Sequence, residues 1–564
     1  MNRIPALLAC LATLAPALAQ SAPPRLADLK IPGDPAFVTV ARNVLDAVFT
    51  VDPSAAANAG LFDDAVRVPS FDRDAVRRQV QRLDGALASL RKMPWRSWPV
   101  DQQIDFRWIY ANAETVKKLL EEERPWTHRP AAWLEPLAND LIALHSYAPE
   151  DTARRGRLWA LVPGLMREMR TVSVDVTRRD RDTARRLEAA LIGMAERDGL
   201  SEAKAAAAAL AAYDAELAAL HPRREFKVIG ARSYAWRLRH ALLLDLTFEQ
   251  LLGAAEKELV RVDGETAALK AQLKDVAPPP PTREQEERAS ALTRESLLAL
   301  YDGIEVALRE ATVAGGFVTI PDAVGPIRAR ETPEGMIPLT GDGGSMNPPP
   351  PFVEMNVGFW NVEHFSADWP AARRLQKVVT AENWRSNGMG PYAAHEGIPG
   401  HHLQLAIARL HKDPIRSILV DNVQNEGWAL YAEEELWRHG GLGERPEAKA
   451  AVLRSCRFRT TRVVYDVNVE TGAWDLQKAA DFKHRAEPGK GEIDEDLLRS
   501  IQWPTQLIGY FTGKMQIVAL KEAYRKKLGE AYSDRAFHDA FLAEGSIPVP
   551  LIRAKLLGEA VPDL

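Results

Sequence analysis

The stretch HEGIPGHH, residues 395 to 402, places three histidines and a glutamate within one short segment. Imidazole nitrogens and carboxylates are ordinary zinc ligands. A hydrolytic zinc site uses three protein ligands and keeps one position for water. The segment opens like the helical signature H-E-x-x-H, whose two histidines share one helix face at i and i+4. Position 399, where the second should stand, is Pro399, and the next histidines are His401 and His402, six and seven residues after His395. Zn–N bonds of about 2.0–2.1 Å need the two nitrogens roughly 3–3.5 Å apart. On an unbroken helix His401 would lie about 9 Å along the axis and about 240° around it, and His402 about 10.5 Å along.

The interruption is written in the same residues. Pro399 lacks an N–H, and its ring clashes with the carbonyl four residues back, that of His395. Gly400 opens backbone conformations closed to other residues. GIPG is therefore expected to form a bulge or kink that returns His401 toward His395. The helix then resumes as HHLQLAIARLH, with Leu403, Ile407 and Leu410 as its apolar stripe. Histidines also fall together by chance, so this stretch alone leaves a metal site and structural histidines both open.

A second segment, DNVQNEGWALYAEEELWRHGG, reads as a helix capped by Asp421 or Asn422 and ended by Gly440-Gly441. Glu426 lies 25 residues after His401. That is enough chain to finish one helix, turn, and face the histidines from an antiparallel partner. Glu426 is equally a charge favoured near a helix N-terminus. Glu433, one heptad on, is a candidate carboxylate for orienting a ligand histidine. Glu434 and Glu435 are expected to be solvated.

Together, HEGIPGHHLQ and NEGWALYAEEE resemble the DUF885 family of helical metalloproteins, whose members carry H-E-x-x-P-G-H-H-L-Q followed by E-G-W-A-L-Y. The resemblance continues through WPTQLIGYFTGKMQIVALKEAYRKKLGEAYSDRAFHDAFLAEGSIPVPLI, with the specific motifs confined to residues 390–550. More remotely the chain is similar to gluzincin peptidases of the angiotensin-converting-enzyme and thermostable-carboxypeptidase kind, which are nearly all-helical with a deep channel between two lobes. The resemblance implies His395, His401 and Glu426 as ligands of one zinc ion, Glu396 as general base and Tyr510, in LIGYFTG, as an oxyanion donor. His402 is the alternative ligand. Arg499, Gln506 and Lys514 lie near Tyr510 in sequence and are candidates for holding a substrate carboxylate. One departure stands out: Glu470, in VVYDVNVETGAW, replaces a family histidine, which puts activity or specificity in question.

The elements that must position these residues read as helices. ARNVLDAVFTV, RDAVRRQVQRLDGALASLRKM, AKAAAAALAAYDAELAALH and TFEQLLGAAEKELVRVDGETAALKAQLKDV carry apolar residues at i, i+3 and i+4. TREQEERASALTRESLLALYDGIEVAL looks like one further helix, and PPFVEMNVGFWNV is the best strand candidate. Proline tracts at 278–281 and 348–351 are too short for domain linkers and read as stiff internal connections. The expected fold is mostly α with a minor β element, a single catalytic unit over residues 20–564. The resemblance adds a two-lobed, metallopeptidase-like shape with a deep cleft.

The chain of 564 residues is 46% apolar and 26% charged, enough to build a large core. A net charge of −5 and the lack of a basic tract with interleaved aromatics argue against a nucleic-acid partner. Arg3, an apolar run and Ala17-Leu18-Ala19 form a secretory signal cut after Ala19. LLAC at 7–10 resembles a lipoprotein box, but the apolar stretch before Cys10 is very short. With Cys10 removed, Cys456 has no disulfide partner and reads as a small buried hydrophobe. Export without disulfides fits a bacterial periplasm, and no segment is long and apolar enough to span a bilayer. The resulting expectation is a periplasmic or secreted zinc-dependent peptidase acting on a peptide or small amide. The alternatives are a helical binding protein whose chemistry has lapsed and a zinc amidase or esterase on non-peptide substrates. No G-x-S-x-G elbow supports a serine hydrolase.

Overall fold

A computed structural model describes residues 24–273 and 280–564. The expected signal at 1–19, Cys10 included, lies outside the described residues, as does the start of the first proline tract.

The described chain is mostly helical, with one small sheet. In the first half, several helices start at short polar residues. Asp34 and Asp72 each accept two backbone N–H groups at the heads of Pro35–Val51 and Arg73–Leu90, satisfying donors that the helix itself leaves unpaired. The main apolar core runs from Leu26 to Val561 and joins these helices to the C-terminal ones. Among the described residues no helix is long and apolar enough to cross a membrane.

Eight helices and three strands position the site. They are α1 (Ser54–Ala59), α2 (Arg294–Gly315), α3 (Met389–Glu396), α4 (His401–Ala408), α5 (Asn422–Arg438), α6 (Pro446–Glu470), α7 (Glu495–Gln502) and α8 (Gly509–Leu528). Strand β1 (Ile327–Glu331) pairs parallel with β3 (Gly358–Val362), and β2 (Ser345–Asn347) pairs antiparallel with it, giving the order β1-β3-β2.

Two expectations change. The segment 282–308 is two helices, Arg283–Ser290 and α2, because Thr293 forms a capping box with Ser296 and starts a new helix. Of PPFVEMNVGFWNV only β3 is strand. The residues before it are held by other partners: the Phe352 N–H donates to the Ala59 carbonyl, and the Val353 carbonyl and Asn356 Oδ1 accept from Arg409.

Helices α5 and α8 pack with their backbones almost touching. A Cβ added to Gly427 would lie 2.4 Å from the Gly513 Cα, and one added to Gly513 would lie 1.9 Å from the Val423 carbonyl oxygen. The two glycines thus bring Glu426 on α5 and Tyr510 on α8 to one place. Asn422 locks the crossing by donating to the Gln506 carbonyl at 2.9 Å.

Candidate metal centre

The chain breaks the helix completely at GIPG. Helix α3 ends at Glu396 and α4 begins at His401. Between them the Ile398–Pro399 peptide is cis, the Gly400 N–H donates to the Ala394 carbonyl at 2.9 Å, and the His402 N–H to the Gly397 carbonyl at 3.2 Å. A Cβ at Gly400 would sit 2.1 Å from the His395 carbonyl oxygen, so only glycine fits. Trp428 of α5 pins the turn by donating its indole N–H to the Pro399 carbonyl at 2.9 Å. Beneath it lies buried Glu305 of α2, whose carboxylate a Cβ at Gly397 would strike at 2.0 Å. The resumed helix buries Leu403 but stops at Ala408, and Leu410 is exposed rather than part of its apolar face.

The break brings the separated histidines together. The His395 and His401 rings meet edge-on with centroids 4.7 Å apart. His401 Nε2 lies 3.2 Å and His395 Nε2 3.5 Å from the same Glu426 oxygen, Oε2. One potential ligand atom from each of His395, His401 and Glu426 falls within 4.8 Å of the others. The opposite ring nitrogens are held from behind. His395 Nδ1 is 2.8 Å from Glu433 Oε1, and His401 Nδ1 is 3.1 Å from Asn425 Oδ1. Acceptors at both Nδ1 positions fix each ring with its Nε2 directed at Glu426, where it donates to the carboxylate as Nε2–H and would offer its lone pair to a metal once that proton is lost.

Two nitrogens and a carboxylate at these separations fit the donor set and spacing of a zinc site. Burial pushes the Glu426 carboxyl up, but the adjoining His401 and His395 outweigh this and hold it well below the usual range. Burial and Arg459 act to lower His395, while its bonds to Glu426 and Glu433 raise it on balance. Burial also acts upward on Glu433, which Arg459 and His395 together hold down.

His402, the alternative ligand, points away. Its Nε2 hydrogen-bonds the Gly325 carbonyl at 2.9 Å, and its Nδ1 fills the space left by the missing Cβ of Gly358. Burial lowers it to about 4, so it is neutral at pH 7.

The three clustered residues open into a cavity of about 440 Å³ that Glu396, Tyr510, Arg499 and Gln506 also line. The Tyr510 ring stacks on His395 at 5.9 Å. Arg499 donates to Gln506 Oε1 at 3.0 Å and lies 3.4 Å from the Tyr510 hydroxyl, and Gln506 donates to Glu426 Oε1 at 3.2 Å. Arg499 has no salt-bridge partner among the described residues, whereas the Glu426 oxygen that faces Gln506 is tied into the wall.

Lys514 does not belong with them. It is buried on α8 away from the cavity, 2.5 Å from Glu434 Oε2 and 3.4 Å from the Cys456 sulfur, so its charge is already used inside the fold. Glu434 and Glu435 are likewise not free solvated charges: Lys514 and Arg438 pair with the half-buried first, and Lys521 bonds the buried second at 2.8 Å. Both carboxylates sit where α5 and α8 are in contact, and the lysines of α8 meet them there. Glu470 is fully buried, accepts the Ile229 N–H at 3.0 Å and does not line the cavity. The position where the resemblance implied a histidine therefore falls outside the immediate site. Reading the sequence missed Asn425, although it directly precedes Glu426. It also missed Trp428 and Arg459, which no spacing rule marks.

Solved structures share this fold. One from Shewanella oneidensis, described as a "putative lipoprotein of unknown function", is 18% identical and superposes with a TM-score of 0.69, covering 92% of this chain and 99% of its own. Another, described as the "putative lipoprotein from Colwellia psychrerythraea", is 15% identical with a TM-score of 0.71, covering 93% and 99%. No curated protein is significantly similar to the chain. The family described as "Bacterial protein of unknown function (DUF885)" matches residues 160–556, a span that contains the broken HEGIPGHH helix, the Glu426 helix and Tyr510, and the chain belongs to that family.

Proposed function

We propose that this protein is a zinc-dependent peptidase. The observation that carries the reading is the pair of imidazole Nε2 atoms aimed at one Glu426 oxygen, at 3.2 and 3.5 Å, with both Nδ1 atoms held by acceptors. His395, His401 and Glu426 would hold the ion. Bound zinc polarises a carbonyl and lowers the pKa of a water to about 7.

The remaining work belongs to the chain's own groups. Glu396 adjoins His395 but points about 100° away on its helix. It lines the cavity without joining the cluster of potential ligands. From there its carboxylate takes the proton of the attacking water and delivers it to the leaving amine. The Tyr510 hydroxyl donates to the oxyanion that develops on the scissile carbonyl. Arg499 and Gln506, beside Tyr510, offer a guanidinium and an amide to a carboxylate or carbonyl of the substrate.

We also propose that the protein is exported. Arg3, the apolar run and Ala17-Leu18-Ala19 support a cleaved signal. The description of both structural relatives as lipoproteins gives LLAC at 7–10 weight as an alternative processing site.

The test of the peptidase reading is metal analysis of the purified protein alongside digestion of a peptide library, with and without chelator. Stoichiometric zinc and chelator-sensitive cleavage are expected. Zinc without cleavage of any peptide would move the lapsed binding protein ahead, and chelator-sensitive turnover confined to non-peptide amides or esters would favour the small-substrate hydrolase.

A further inference from the structure

The metal cavity has a neighbour. A second cavity, of about 520 Å³, lies on the far side of Trp503. Three wall elements serve both spaces. Helix α1 gives Ser54 to the second cavity and Asn58, one turn on, to the first. The turn at Leu339-Thr340 gives Leu339 to the second and Thr340 to the first. Trp503 itself lines both, with Arg499 before it facing the metal cavity and Gln502 and Pro504 the second.

The segment around Trp503 is pinned on each side. The Trp503 indole N–H donates to Glu135 Oε2 at 3.1 Å, the Pro504 carbonyl accepts from Arg237 at 2.8 Å, and the Gln506 carbonyl from Asn422 at 2.9 Å. Thr505 sits at φ 72°, a left-handed conformation that a β-branched residue adopts only under strain. Such strain persists where surrounding contacts over-determine it, and it gathers at ligand sites. The second cavity mixes an apolar wall, where Phe71 stacks on Trp126 at 4.1 Å, with unmet polar groups. Trp126 Nε1 and His128 Nδ1 are buried there without hydrogen-bond partners among the described residues. A buried indole N–H donor is normally paired, and so is a buried imidazole nitrogen, which donates or accepts according to its tautomer. A peptide backbone repeats a carbonyl acceptor and an N–H donor along its length, so it can answer either kind of polar group in both cavities.

We propose that the two cavities are consecutive parts of one cleft, that the second is a distal subsite for an extended peptide chain, and that Trp503 is the residue the chain passes between them. This rests on the peptidase reading and narrows its substrate from any amide to an oligopeptide.

Zinc-loaded Glu396→Gln protein, which would bind peptide without consuming it, provides the test. Its affinity is measured by titration calorimetry for a nested series of alanine-, phenylalanine- and serine-containing peptides, from dipeptide to octapeptide. The octapeptide should bind roughly tenfold or more tighter than the dipeptide, the difference that about 1.4 kcal/mol of added contact gives. Ala132→Trp and Asn139→Phe, made separately in that background, put bulk into the second cavity and touch nothing in the first. In each variant that keeps the parental circular dichroism and zinc content, the octapeptide should fall to the dipeptide's affinity while the dipeptide is unchanged. Affinity that does not depend on length, or octapeptide binding untouched by a folded plug variant, overturns the proposal. Length-dependent, plug-sensitive binding by a protein whose parent cleaves no peptide would instead remove the peptidase reading and support the cleft.

Discussion

At the scale of single residues, the site assigns different tasks to neighbours in the chain. His401 faces Glu426, while His402 bonds the Gly325 carbonyl and is held neutral by burial. His395→Ala and Glu426→Ala should each lose zinc, and His402→Ala should retain it, as read by metal analysis; loss of zinc from His402→Ala alone would reverse the ligand assignment. Glu433→Gln weakens the acceptor at His395 Nδ1 and should lower zinc affinity roughly 10–100-fold without abolishing binding, which a competition titration against a chelator measures. Glu470 makes a separate prediction. Burial raises its carboxyl to about 8, the Ile229 N–H acting downward and Asp466 upward. In the unfolded chain a glutamate titrates near about 4.3. Between those values the folded state keeps a proton the unfolded state has lost, so this contribution to stability is complete below about pH 4.3 and is lost as pH rises through about 8. Glu470→Gln removes that titration and keeps an acceptor for Ile229. The melting temperature of the variant relative to the parent should therefore rise between about pH 5 and about pH 9, and a constant difference would contradict the assignment.

At the scale of elements, the site depends on a broken helix and a close helix crossing, and these were unequally legible. Pro399 and Gly400 announced the break, because proline cannot donate and its ring collides with the His395 carbonyl. The full separation of α3 from α4 depends on Trp428 reaching Pro399 from α5, a contact between distant parts of the chain. The cap at Asp421 was readable and is present, accepting the Gln424 N–H at 2.7 Å. The burial of Glu435 and Lys514 and the pairing of half-buried Glu434 were not, since their charges suggest solvent and the α5–α8 crossing brings the lysines to them. The small sheet was half visible: β3 was within the expected strand, while β1 and β2 are too short and polar to stand out. The glycines at the crossing carry a testable load. Gly513→Ala would place its Cβ 1.9 Å from the Val423 carbonyl oxygen. Overpacking of this kind typically costs about 1–3 kcal/mol. A denaturant melt should show a loss of that order, with weakened zinc binding because Glu426 and Tyr510 move apart. An unchanged melt would mean the helices are not packed this closely.

At the scale of the whole molecule, composition and periodicity were enough for a mostly helical chain with a minor sheet, and the sequence motifs for its family. How the N-terminal half serves the site was not legible. Its helices carry no recognisable chemistry in sequence, yet Asn58 and Ala59 line the cavity at His395, His401 and Glu426, and Trp126, His128 and Glu135 the space beyond Trp503. Export makes its own prediction: mass spectrometry of the mature protein should find Gln20 at the N-terminus, and an intact Met1 or a lipid on Cys10 would contradict cleavage after Ala19. The central claim, that Glu396 activates water beside a zinc ion held by His395, His401 and Glu426, is tested most directly by one paired measurement. Zinc stoichiometry and the initial rate of hydrolysis of one peptide are compared for the parent and Glu396→Gln. The amide keeps the shape of the side chain but cannot accept a proton at neutral pH, and general-base catalysis contributes roughly 10²–10⁴-fold. Both proteins should bind one zinc, with the variant slower by about that factor; parental hydrolysis by Glu396→Gln, or a parent that holds no zinc, would contradict the account.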